Sequence, residues 1–368
     1  MAGNNRIYYA IQQVAVGTNS GTDMEAIHGV QSVGITTTFN LEQTFELGQL
    51  AIYENIEGVP DVEVTMSKVL DGYKPIYCAT TKDQTEISDT GPQLEKRVQG
   101  KCRVQLGIWD EANNAAGGAP SYWVEMSGLQ VSSVGYNFPL DDYFTEDVTL
   151  VGNYKAWGAG ATNTAGGAIT YTPGSVAGGF SGNSDTPSGE FGVARREQLW
   201  IGGSTFPTEI GTVNNFQVEG GRTNTNLASI TVSCDIGRED IFRLGMKRPY
   251  AKTVTFPVEV TCDFEVTANR GDMINAIDKS TVECSGYKNT SEQTIAIATC
   301  EGLGLDLGTK NRLASVSYGG GDAGGGNATV TYSYQTFNDF TVLHSADTTM
   351  SSDPSGASNG RIPSLKGG

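Results

Sequence analysis

The chain states much of its content twice. Phe45-Glu46-Leu47-Gly48 is answered by Phe242-Arg243-Leu244-Gly245, Tyr53 by Tyr250 and Pro60 by Pro257, a spacing of 197 residues as from 45 to 242. Val62-Glu63-Val64-Thr65 recurs as Val258-Glu259-Val260-Thr261 at nearly the same spacing. Upstream, Val33, Ile35, Thr37 and Phe39 answer Ile230, Val232, Cys234 and Ile236. These are alternate positions, and a period of two marks a half-buried strand. Val148-Thr149 and Val330-Thr331 echo one another near the ends of the two halves. A long internal repeat sets the domain plan before any local reading. It points here to one β domain, duplicated.

Composition agrees with short strands and turns. The chain has 48 glycines in 368 residues and 18% charged residues, against an ordinary share of about 7% glycine and about 25% charge. Long leucine-rich amphipathic runs are absent, which leaves little room for a helical core. The formal charge of −17 excludes a sequence-neutral grip on nucleic acid, which needs lysine and arginine against phosphate. The first half carries more of that charge than the second. Residues 1–17 hold one arginine and no continuous apolar run, so no secretory leader is expected. No stretch approaches the roughly 18 apolar residues of a membrane span. Six cysteines, at 78, 102, 234, 262, 284 and 300, form no C-x-x-C pair and occupy different places in the two halves. They read as buried thiols rather than a zinc site or a duplicated disulfide framework.

Strand patterns are expected at residues 6–16, 33–41, 62–69, 102–109, 122–136 and 147–154, with a helix in 88–99. The second half repeats the scheme at 196–201, 228–236, 258–266, 280–284, 294–300, 313–318 and 329–336, with a helix at 269–278. The domain boundaries follow: a first copy over 1–158, a Gly/Ser/Thr-rich linker or insertion loop over 159–192, a second copy over 193–345 and a flexible tail over 346–368. In each copy a long connection (45–60 and 242–257) keeps Phe, Gly, Tyr and Pro while its other residues diverge. It reads as a projecting arm. The first arm region carries Glu46, Glu54, Glu57 and Asp61, and the second carries Arg243, Lys247, Arg248 and Lys252. Opposite charge on equivalent arms suits a contact between unlike copies.

No chemistry emerges. His28 and His344 lie in non-equivalent places, so the usual general base is not clustered with a partner. No G-x-S-x-G, H-E-x-x-H or Walker pattern occurs. Gly319, Gly321 and Gly324 fit G-x-G-x-x-G, but strands flank them and no helix offers its amides to a phosphate. Asp141, Asp142, Glu146 and Asp147 lack the spacing of a calcium loop. The sequence reading is of a non-enzyme with no catalytic residues, no metal site and no cofactor.

The order of strand, arm, strand, short helix and further strands resembles the bacteriophage tail tube proteins. Phe-x-Leu-Gly opens the arm, and Pro then Val-Glu-Val-Thr follows it. The stretch from Gly237 to Gly245 and on through Phe256 to Thr261 carries the likeness best. The resemblance implies a mainly β chain of two tandem tail-tube-like β-sandwich or half-barrel domains, each with a short flanking helix and a long arm loop. It implies stacked rings, trimeric with pseudo-sixfold symmetry, forming a tube that conducts DNA through its lumen without specific binding. Expected partners are further copies of the chain and other tail proteins: sheath in a contractile tail, tape measure, baseplate and terminator. The expected place is the virion tail, assembled in the host cytoplasm. Phe45, Leu50, Ile52, Tyr53, Phe242, Lys247, Arg248, Tyr250 and Lys252 are then candidate contacts between rings. Two alternatives remain open from the sequence. One is another tail, baseplate or neck structural protein. The other is a two-domain carbohydrate-binding adhesin that uses Trp109, Trp123, Trp157 and Trp200 as a sugar platform.

Overall fold

The computed structural model describes residues 6–19, 24–81, 93–109, 120–159, 192–203, 206, 210, 226–272, 274, 292–321 and 326–344. The first half supplies β1 (Gln12–Thr18), β2 (Met24–Ala26), β3 (Val30–Thr38), β4 (Leu41–Phe45), β5 (Ile52–Glu57) and β6 (Asp61–Val69). Two short helices follow, α1 (Ile76–Thr80) and α2 (Leu94–Arg97), then β7 (Cys102–Ile108), β8 (Tyr122–Pro139), β9 (Thr145–Gly152) and β10 (Lys155–Ala159). The second half supplies β11 (Leu199–Gly203), β12 (Leu227–Asp235), β13 (Arg238–Ile241), β14 (Ala251–Val254) and β15 (Glu259–Thr267). It ends with β16 (Ile295–Thr299), β17 (Leu303–Asp306), β18 (Arg312–Gly319), β19 (Thr329–Phe337) and β20 (Thr341–His344).

Strand pairing is antiparallel throughout and follows one scheme in both halves. β3, β6, β9 and the C-terminal part of β8 lie side by side. β12, β15, β19 and β18 repeat that order. A second set, β1-β7-β8-β10 with β2 on its edge, involves the N-terminal part of β8. Its counterpart is β11-β16-β17-β20. One strand of 18 residues, β8, therefore serves both sets in the first half, whereas β17 and β18 divide the same work in the second. The break between them is held by Asn311, whose buried side-chain amide donates to the carbonyls of Gln293, Leu307 and Gly308.

The two four-stranded units join edge to edge. β12 pairs with β8 from Ser229↔Pro139 to Asp235↔Ser133, and Ile236 N continues the ladder by donating to Ser132 O at 2.7 Å. The run reads β18-β19-β15-β12-β8-β9-β6-β3. Among the described residues its outer strands, β18 and β3, are each paired on one side only.

Alternation along these strands sets the layers, because successive side chains point to opposite faces. In β6, Val62, Val64 and Met66 are buried while Asp61, Glu63 and Thr65 are exposed. In β12, Ile230, Val232 and Cys234 are buried while Thr231, Ser233 and Asp235 are exposed. The inward rows of both halves meet in one continuous core that includes Tyr136, Phe138, Phe264, Tyr332 and Phe340. A smaller cluster around Trp109, Trp123 and Ile11 packs on the other side of β1 and β7.

The ladders correct the sequence alignment of the two halves. Thr38 lies opposite Asp61 and Asp235 lies opposite Glu259. Bulges at Val30/Ser32 and Leu227/Ser229 fix the first strands at a spacing of 197. Asp61 and Glu259 then correspond at 198, so Val62-Glu63-Val64-Thr65 matches Val260-Thr261-Cys262-Asp263, two residues beyond its sequence echo. Thr149 likewise matches Ser333 rather than Thr331, since both sit beside equivalent bulges at Val131/Ser133 and Leu313/Ser315. A two-residue slip preserves which side chains face inward, so period-two sequence matching tolerates it.

Other expectations also shift. The first strand begins at Gln12, after a 3-10 turn at Tyr9–Ile11. The strand expected at 122–136 runs to Pro139, and β2, β10, β17 and β20 carry pairing that the sequence reading left out. The described part of the first helix is Leu94–Arg97 alone. Residues 82–92, the linker over 160–191, the strand at 280–284, most of the 269–278 helix and the tail lie outside the described residues.

Candidate assembly surface

Each expected arm is a β-hairpin rather than a loop. β4 pairs with β5 and β13 pairs with β14, and each hairpin forms a sheet of its own. Both tips turn at a glycine with positive φ, Gly48 at 91° and Gly245 at 86°, where a Cβ would be strained. This is a physical reason for Phe-x-Leu-Gly to persist in both copies.

The candidate contact residues project from these hairpins. Phe45, Leu50, Ile52, Tyr53, Phe242 and Tyr250 are all exposed, and so are Leu47 and Leu244 at the tips. Contiguous exposed apolar surface of this kind marks an interaction site. Lys247 and Arg248 are exposed at the second tip. Lys252 is not free for a neighbour in the way the charge pattern suggested. It pairs with Asp240 across the hairpin at 2.8 Å, with both side chains largely buried. Arg243 is also engaged locally, with its guanidinium 4.7 Å from the centre of the Tyr250 ring and its Nε donating to Met246 Sδ at 2.9 Å.

The outward face of the eight-strand run is a second surface, and the sequence reading did not single out its residues. It is built from the outward rows, among them exposed Thr36, Thr38, Thr65, Asn137, Thr231 and Ser233 and half-buried Thr149, Ser133, Thr261 and Ser333. Carboxylates of Asp61, Glu63, Asp147, Asp235, Glu259, Asp263 and Glu265 lie in the same rows. Among the described residues of these rows the one opposing cation is Arg312, at the β18 end. The signal was present in sequence as the polar half of each alternation. Only the pairing shows that these halves merge into one surface.

Buried polar groups hold the first copy and the seam. The Glu146 carboxylate accepts from Ile76 N at 2.5 Å and Tyr77 N at 3.0 Å, at the start of α1, and from Tyr136 Oη at 2.9 Å. Burial raises its pKa above the ordinary 4.5, against the lowering effect of those donors and of Lys68. Lys68 is fully buried and donates to His28 O at 2.7 Å and Asp71 Oδ1 at 2.5 Å. Gly29, at φ 74°, lies so close that a Cβ would come within 2.8 Å of Asp71 Oδ2. At the seam, Arg238 of the second copy donates to Val131 O from Nε at 2.9 Å and to Val98 O at 2.6 Å in the first copy. Burial pulls its pKa down to about 10. Burial also pushes the Cys234 thiol up to about 12 and holds Cys262 well above its ordinary value, which suits core residues better than nucleophiles.

A cleft of about 390 Å³ lies between Leu140–Tyr143 and Arg195–Glu197. Its charged residues include an exposed pair, Arg196 and Asp141, 3.2 Å apart, and the cleft has no histidine, cysteine or buried carboxylate. Among the described residues no group of three potential metal ligands clusters, and no helix is long and apolar enough to cross a membrane. Trp109, Trp123 and Trp200 are buried and Trp157 alone is half exposed, so the four do not form a platform.

No family model matches the chain, and no curated protein does. Solved structures match part of it. The tube-terminating cap of the anti-feeding prophage aligns at 15% identity with a TM-score of 0.32, over 43% of this chain and 95% of that one. A component of an extracellular contractile injection system, the PVC sheath–tube complex in the extended state, aligns at 16% identity and 0.32 over 43% and 95%. The anti-feeding prophage baseplate gives 10% and 0.32 over 42% and 96%. Likenesses this weak do not bear on fold or function.

Proposed function

We propose that the chain is a structural protein of a phage-type tail, and that its two copies, over 1–158 and 193–345, are ring units of a tube. The observation that carries this reading is the join of two like four-stranded units, edge to edge, into one sheet with a continuous polar face. Such a sheet has open edges, and closure is the way to remove them. Three chains in a ring would present six like units. The acidic, hydroxyl-rich face would line the lumen, where DNA meets carboxylates and slides without being held. The hairpin arms, with Phe45, Leu50, Ile52, Tyr53, Phe242 and Tyr250, would stack one ring on the next. Lys247 and Arg248 would steer register against Glu46, Glu54 and Glu57. Sheath, tape measure, baseplate and terminator proteins would be its neighbours in the virion. Nothing in this role requires catalysis or a cofactor.

Electron microscopy of the purified protein tests this. Hollow tubes of stacked rings are expected. A monodisperse monomer at high concentration would overturn the reading, and isolated rings would favour a cap, neck or baseplate place over a tube. Reversing Lys247 and Arg248 to Glu should leave the melting curve unchanged while slowing polymerisation at low salt, because exposed pairs act on encounter more than on stability.

A further inference from the structure

The seam inside the chain is a template for a seam between chains. β12 meets β8 at Val232↔Tyr136 and Cys234↔Val134. By the bulge positions, β3 corresponds to β12 at a spacing of 197 and β18 to β8 at 182. Tyr136 therefore corresponds to Tyr318, the same residue type at the same ladder position. Tyr136 is 1% exposed under β12, and Tyr318 is 52% exposed on an open edge. Ile236, which continues the internal seam, is 0% exposed, and its counterpart Phe39 is 69% exposed. Side chains built for a covered position stand uncovered on both open edges.

We propose that β3 of one chain pairs antiparallel with β18 of a second copy, in the register that sets Ile35 opposite Tyr318 and Thr37 opposite Val316. This rests on the ring reading above and adds its partner strand, register and chemistry. The seam is also unlike its template in one respect. Arg238, whose guanidinium binds Val131 O, corresponds to Leu41, which is exposed, and Val131 corresponds to Leu313. The seam between chains thus trades a buried guanidinium for an aliphatic contact, and leaves no cation to be stripped of water each time subunits meet. A seam made once during folding tolerates that cost better than one made repeatedly during assembly.

The same register sets Thr36 opposite Ser317, both exposed on the outward face. Opposed residues in an antiparallel pair lie about 4.5–5.5 Å apart between Cα atoms, within disulfide reach. Oxidation of the full chain carrying Thr36→Cys and Ser317→Cys should give a covalent ladder that ends at the ring. A Ser32→Cys, Ser317→Cys chain is four residues out of register, roughly 13 Å, and should give none. Tyr318→Ser should abolish assembly with an unchanged melting curve. Tubes in the micrographs together with cross-linking of the shifted pair, or with assembly indifferent to Tyr318→Ser, would overturn this seam and leave the ring reading intact. Absence of both cross-links and rings would overturn both.

Discussion

In the first copy Lys68 faces Glu146 across the ladder, and in the second Val266 faces Val330 at the equivalent position. All four are buried. The same fold position takes a buried lysine and a buried carboxyl in one copy and two valines in the other, so the ladder itself does not require the charges. Burying a charged group is costly unless it finds partners of its own. What differs is the surroundings. Glu146 holds the start of α1 and the hydroxyl of Tyr136, and Lys68 ties the chain at His28 and Asp71. Val330 sits opposite Tyr318, whose hydroxyl stands at an open edge. The first copy thus uses charge to fix its helix under the completed seam, while the second keeps an apolar wall behind its free edge.

The largest expected effect breaks that contrast directly. Glu146→Val strands two backbone amides and a phenol, and should cost about 3–5 kcal/mol by chemical denaturation. Equal stability of Glu146→Val and wild type would mean the two positions are interchangeable after all. The pH dependence sharpens the point. A carboxyl with a raised folded pKa binds more protons folded than unfolded between its two pKa values, so stability falls as pH rises from about 4.5 through the folded value. Glu146→Gln should remove that part of the slope, seen as a smaller loss of denaturation midpoint across the window.

Arg238→Met tests the seam against its apolar counterpart. It leaves the carbonyls of Val98 and Val131 without their charged donor, and should cost about 2–3 kcal/mol. Leu41→Met, at the matching open position, should change the monomer by less than about 0.5 kcal/mol. The smallest effect probes where the copies agree. Gly48→Ala and Gly245→Ala have open space around the new Cβ but place an L-residue at positive φ, so each should cost about 1 kcal/mol. Unequal costs would show that the two tips are not equivalent in solution.

Much of this was legible before folding. The mainly β class followed from alternation, and the repeated Phe, Gly and Tyr marked the two hairpins. The apolar arm residues are exposed, as an arm requires. The pairing of Lys252 with Asp240 was not legible, because Asp240 lies across a hairpin that a loop reading did not draw. β10 and β20 were missed because five and four residues offer too little alternation to separate a strand from a turn.

Sequence alone determined which side chains face inward in the alternating strands, such as β6, β12, β15 and β19, since period two assigns faces. It also showed glycine repeated at both arms, and the structure supplied the reason, a positive φ at each tip. Tertiary structure decided which strand lies beside which, and in what register. Period two is blind to a slip of two residues, and so the echoes of Val-Glu-Val-Thr and Val-Thr align two residues away from the ladders. The roles of Glu146, 70 residues from Ile76, and of Arg238, 107 residues from Val131, belong to the same class. A buried charge takes its meaning from partners that only the folded chain brings within hydrogen-bond reach.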